Sequence, residues 1–109
     1  MKLALQITFK NMDPSQALEA DIREKAEKLE RFCNQIISCR VVIDAQSHRH
    51  RRGNLFRVHV SVKVPDREIV ASHGGDEEQQ HEDAYVAIRD AFDHVRRQIE
   101  DYNKRQQQL

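Results

Sequence analysis

A chain of 109 residues with 18 basic and 18 acidic side chains carries no formal net charge, and only 6% of it is aromatic, with no Trp. That is enough for one small domain around a mostly aliphatic core, and no apolar run approaches the ~20 residues of a membrane span. Neutrality excludes the broad positive field behind indiscriminate nucleic-acid binding, while leaving room for a basic patch on one face.

Residues 2–10 alternate, with Leu3, Leu5, Ile7 and Phe9 on one side and Lys2, Ala4, Gln6, Thr8 and Lys10 on the other. Period two predicts a half-buried strand. The same stretch passes at once to Gln6 and lacks the apolar centre of a secretory leader, so the chain is expected to be cytoplasmic. Asp13 or Ser15 can cap the helix that follows, with Pro14 setting the backbone angle. Leu18, Ile22, Ala26, Leu29 and Cys33 step by three or four along one helical face, and Phe32 adds to its edge. The helix should end near Cys33-Asn34. The two cysteines, Cys33 and Cys39, form no C-x-x-C pair and are expected to be reduced, partly buried thiols.

From Ile36 to Gln46 the period returns to two, with Cys39, Val41, Ile43 and Ala45 on one side. Ser47 to Asn54 is a polar loop. Leu55 to Val64 is the clearest strand, alternating Phe56, Val58, Val60, Val62 and Val64 with Arg57, His59, Ser61 and Lys63. Pro65-Asp66 makes a turn, and Arg67 to His73 a short strand with Ile69 and Ala71 inward. Gly74 to Gln80 is an acidic connector. A last helix from about Glu82 to Gln106 carries the stripe Tyr85, Ile88, Phe92, Val95, Ile99 and Tyr102, with Ala84 and Ala91 beside it. The pattern predicts a single α+β domain over residues 1–106 with a frayed tail at 107–109. In it a four-stranded sheet with an antiparallel meander carries both helices on one face, in a two-layer β-α-β-β-β-α sandwich.

Nothing in the sequence marks an enzyme. The six histidines have no H-E-x-x-H or C-x-x-C context. The three glycines, Gly53, Gly74 and Gly75, form no phosphate loop, and no nucleophile motif is present. Asp76-Glu77-Glu78 reads as a solvated charge run ahead of a helix, where acidic groups are favoured. No metal, cofactor or small-molecule substrate is expected.

The densest positive charge is His48-Arg49-His50-Arg51-Arg52, between the second and third strands. Arg49, Arg51 and Arg52 there can grip phosphates in pairs of hydrogen bonds, or can simply be a solvated tip that discourages edge aggregation. Lys25 and Lys28 flank the first helix's apolar stripe; Arg97, Lys104 and Arg105 lie away from Ile88 on the last helix. Each of Lys25, Lys28, Arg97 and Lys104 has an acid one turn earlier (Asp21, Glu24, Asp93 and Glu100), so ordinary i,i+4 pairing competes with a binding role. The polar sheet face offers Arg40, Arg57, His59 and Lys63 without outward aromatics, which points to contacts with backbone and shape and little base stacking.

Several strings resemble the ribosome hibernation-promoting factor and ribosome-associated inhibitor family, also called sigma-54 modulation proteins, in order and spacing. They are Gln6-Ile7-Thr8 with Met12, Lys28-Leu29-Glu30, Ile69-Val70-Ala71-Ser72, Glu82-Asp83-Ala84-Tyr85-Val86-Ala87-Ile88 and Arg97-Gln98-Ile99. The resemblance covers nearly the whole chain and implies a double-stranded-RNA-binding-like fold. It implies a partner, the small ribosomal subunit with its 16S rRNA, bound in the decoding channel where messenger and transfer RNA pass, and steric inhibition of translation in idle cells. It also implies a short form without the dimerisation domain of longer members, monomeric off the ribosome. Lys25, Lys28 and Arg97 fall on basic positions of the family. His94 and Asp101 stand where lysine is usual, which should weaken the last helix's phosphate contacts and leave Arg49, Arg51 and Arg52 to compensate. The expected rRNA-binding set is therefore Lys25, Lys28, Arg49, Arg51, Arg52, His94, Arg97, Lys104 and Arg105. Two other readings stand beside this one: a general double-stranded-RNA binder, which neutrality opposes, and a protein-interaction module that modulates transcription, with Asp76-Glu77-Glu78 facing its partner.

Overall fold

A computed structural model describes residues 4–47, 54–73 and 83–107. The elements are strand β1 (Ala4–Lys10), helix α1 (Gln16–Phe32), strands β2 (Ser38–Ser47), β3 (Asn54–Val64) and β4 (Arg67–His73), and helix α2 (Ala84–Gln107). They form one four-stranded sheet in the order β1-β2-β3-β4. The meander β2-β3-β4 is antiparallel. β1 instead runs parallel to β2, with Ile7 opposite Val41, because α1 is the crossover that a parallel neighbour requires.

Local chemistry sets the ends of the elements. Asn11 takes a left-handed backbone (φ 58°) just after β1, a conformation Asn tolerates better than most residues, and its side-chain amide donates to Asp44 Oδ1 at 2.7 Å. Of the two candidate caps for α1 it is Ser15 that serves: its Oγ accepts from the Leu18 amide at 3.2 Å. The helix closes where the Cys33 amide reaches the Leu29 carbonyl at 2.8 Å and the chain turns extended. Asp83 opens α2, its Oδ1 accepting from the Tyr85 amide at 2.9 Å.

Both helices lie on the same side of the sheet. Leu18, Ile22, Ala26 and Leu29 of α1, and Ala87, Ile88, Ala91, Phe92, Val95 and Ile99 of α2, join the inward residues of β2, β3 and β4 in one buried cluster. Each fully buried aliphatic side chain contributes roughly 1.5–3 kcal/mol. Leu5, Ile7 and Phe9 of the edge strand are only half-buried against this core.

One expectation needs correction. Tyr85, assigned to the apolar stripe of α2, is 46% exposed; it sits in the first turn, and Ala84, Ala87 and Ile88 take the core positions there. Phe32 is 40% exposed and rims the inter-helix groove, at the edge of the α1 stripe. In β3, Phe56 packs half-buried against the core, and Leu55 is buried as well although its parity is that of the polar face.

Candidate nucleic-acid interface

Lys25 and Lys28 each precede a core residue of α1 (Ala26 and Leu29), which puts them on the flank of the stripe. On α2, Arg96 lies four residues after the buried Phe92, on the flank that meets α1. The two flanks enclose a groove of about 300 Å³ lined by Lys25, Lys28, Leu29, Phe32, Phe92, Asp93 and Arg96. Three cations thus converge over an apolar floor.

They are held differently. Lys25 Nζ is 2.8 Å from Asp21 Oδ1, with both side chains mostly covered, while Asp21 Oδ2 is buried without a hydrogen-bond partner. Lys28 pairs with Glu24 at 3.4 Å, but both side chains are 66% exposed, and a pair so placed contributes little and exchanges readily with solvent or a ligand. The Arg96 guanidinium lies over the Phe32 ring, 5.6 Å from its centroid, and its Nε is 3.5 Å from Glu100 Oε1. At the far end of the groove Asn103 Nδ2 donates to the Phe32 carbonyl at 3.4 Å, tying the two helix ends together.

The remaining expected residues do not all join this groove. Arg97 borders a second depression with Asp93, Arg96 and Glu100, continuous with the first through Asp93 and Arg96. Its anticipated pair with Asp93 does not form, nor does that of Lys104 with Glu100, because Glu100 turns back to Arg96. His94 and Lys104 are exposed on α2. Arg105 lies on the other flank of that helix, in a depression shared with Arg67, Glu68, Ile69, Gln98, Asp101 and Tyr102. Arg49, Arg51 and Arg52 lie outside the described residues. Sequence reasoning missed Arg96 and chose its neighbour Arg97. The available signal was position: i+4 from Phe92 follows the core stripe's edge, whereas i+5 turns toward solvent.

The other reactive groups have structural roles. Cys33 and Cys39 are free, buried thiols; burial pushes Cys39 up to about 12 from 9.0, which keeps it protonated and a poor nucleophile. Tyr102 donates its hydroxyl to Gln35 Oε1 at 2.8 Å. Burial and the Asp66 carboxylate hold its phenol above the ordinary value, and Arg67 stacks on its ring at 5.3 Å. Among the described residues no group of His, Cys, Asp and Glu is placed to hold a metal ion, and no helix is long and apolar enough to cross a membrane.

Two solved structures share this architecture. A ribosomal subunit interface protein from Coxiella burnetii superposes with a TM-score of 0.75 at 18% identity, covering 94% of this chain and 99% of the other. The N-terminal domain of Protein Y from Thermus thermophilus superposes at 0.66 with 16% identity and the same coverage. They define the fold as a two-layer α+β domain of the β-α-β-β-β-α type. The family follows from sequence: the model described as Sigma 54 modulation protein / S30EA ribosomal protein matches residues 5–107, and the chain belongs to that family. A curated relative, the ribosome hibernation promotion factor of Deinococcus radiodurans, is 31% identical over 101 residues, which are 92% of this chain and 49% of that protein. The chain therefore spans about half the length of the curated relative it matches.

Proposed function

We propose that this protein is a ribosome hibernation factor. Residues 1–106 act as one cytoplasmic domain that binds 16S rRNA of the small subunit in the channel used by messenger and transfer RNA. Inhibition is steric and noncovalent: an occupied channel cannot accept an initiating complex. The observation that carries this reading is the α1–α2 groove, where Lys25, Lys28 and Arg96 converge beside an exposed aromatic ring. Cations presented over a shallow apolar floor suit phosphates and sugar edges, which position a protein on RNA. Family membership and the named activity of the Deinococcus relative support the same partner.

Co-sedimentation with vacant ribosomes tests it. The protein should travel with the small subunit and be displaced by transfer RNA. Lys28→Glu with Arg96→Glu should weaken binding by tenfold or more, roughly 1.4 kcal/mol, and flatten its salt dependence by about 2 in slope. Failure to co-sediment at both low and moderate salt would rule the reading out.

A further inference from the structure

The sheet turns one face to the helices and leaves the other without a described element over it. The outward charges on that open face are Lys10, Arg40, Arg57 and Lys63 against Asp44 and Glu68. The helix layer has no such excess: α1 carries five acids and four bases, α2 four acids and five bases, and the two balance to zero.

Arg40 and Lys63 stand apart on this face. The register sets Arg40 between Gln6 and Ser61, and Lys63 between Ser38 and Glu68. Both side chains are exposed, and among the described residues neither has an ion-pair or side-chain hydrogen-bond partner, Lys63 not even Glu68 across the strand. They are diagonal neighbours on adjacent strands, ~7 Å apart at the backbone, a spacing within reach of successive phosphates along one RNA strand. Beside them the face carries the hydroxyls of Ser38 and Ser61, with Thr8 one row further on, where the Ser72 hydroxyl is held by His59 Nδ1 at 2.6 Å; Val42 and Val70 complete the surface.

We propose that this open sheet face is a second RNA-binding surface, which grips the sugar-phosphate backbone of a double-helical RNA segment through Arg40 and Lys63. The inference rests on the ribosome-binding reading and extends it, because the helix groove and this face lie on opposite sides of the domain and would engage two different RNA elements. The chemistry selects the ligand. The one aromatic ring among the described outward positions of this face is His59, half-buried and held to Ser72 Oγ at 2.6 Å through its Nδ1, so unpaired bases have little to stack on. A flat surface cannot enter the deep, narrow major groove of A-form RNA, but it matches the wide, shallow minor groove with its 2′-hydroxyls. Serine and threonine hydroxyls both donate and accept, as the 2′-hydroxyl does. A DNA duplex lacks that group and should bind more weakly.

The test uses the full chain and the variant Arg40→Gln/Lys63→Gln, whose exposed positions should leave the urea midpoint unchanged. Affinity for isolated small subunits is measured over a salt series. The variant should bind about tenfold more weakly, with a salt slope shallower by about 2 for two lost phosphate contacts. If the parent protein binds subunits and the variant matches it in affinity and slope, the sheet-face proposal is wrong while the hibernation reading stands. If the parent binds no subunits, the hibernation reading fails, and an RNA duplex of about 16 base pairs becomes the deciding probe. Weaker duplex binding by the variant then upholds the face; equal binding overturns it.

Discussion

The helix layer and the open sheet face share one frame and hold their cations in different ways. On the helices, Arg23, Lys25, Lys28, Arg89 and Arg96 each have a carboxylate within 4 Å, four of the five on the same helix one turn away. On the sheet, Arg40 and Lys63 have none among the described residues. The difference is geometric. A helix brings residues i and i+4 together, so pairing is decided locally. A strand sends its sequence neighbours to the opposite face, and a lateral partner must come from another strand. For Arg40 those partners are Gln6 and Ser61, which carry no charge. Paired helix cations can exchange one carboxylate for a phosphate, while Arg40 and Lys63 have no ion-pair partner to surrender among the described residues.

The largest expected effect removes the frame beneath both regions. Ile88 is fully buried between helix and sheet, and Ile88→Ala should cost about 2–5 kcal/mol in urea unfolding. Above the lowered midpoint, binding through the groove and through the sheet face should fall together; selective loss of one would show that the two regions do not depend on a common core.

A second test targets the sheet from within. Cys39 sits behind Arg40 on β2, between Leu5 and Val62, and its thiol is raised to about 12 from 9.0 by burial. Above pH 9 the unfolded chain releases a proton that the native chain keeps. This contribution to stability is therefore complete below pH 9 and declines by about 1.4 kcal/mol per pH unit until the native thiol ionises near 12. Urea unfolding at about pH 8 and about pH 10 should show this decline in the parent protein and a smaller one in Cys39→Ala. Identical slopes would mean that the thiol is not sealed in the native sheet.

The smallest effects separate the helix layer from the sheet. Ser15→Ala removes the cap of α1 and should cost about 1 kcal/mol, with faster amide exchange at Leu18 and no change in the sheet. Lys28→Ala, which breaks only an exposed pair, should change stability by less than about 0.5 kcal/mol, so any larger loss of ribosome affinity in that variant reports binding and not folding.

Much of the fold was legible because hydrophobic period is a local property. Period two along β3 and three-to-four steps along α1 named the elements, and two amphipathic helices with one apolar sheet face left few ways to close the core. Tyr85 was misplaced because an aromatic near a helix end fits the stripe by spacing, yet lies beyond the reach of the sheet. The site was less legible. The place of Lys25 and Lys28 beside the stripe of α1 was legible, but that Arg96 lines one groove with them was not, because nothing in a single helix says where its neighbour lies.

The sequence by itself determined the element order, the layer that each apolar face must enter and the i,i+4 carboxylates that neutralise α1, since all of these follow from spacing within one segment. Only the tertiary structure decided that β1 runs parallel at the sheet edge, that Arg96 meets Lys25 and Lys28 across one groove, and that Arg40 and Lys63 are exposed with no ion-pair partner among the described residues. Those relations join residues far apart in the chain, and they are fixed by how the helices and strands pack and register against one another.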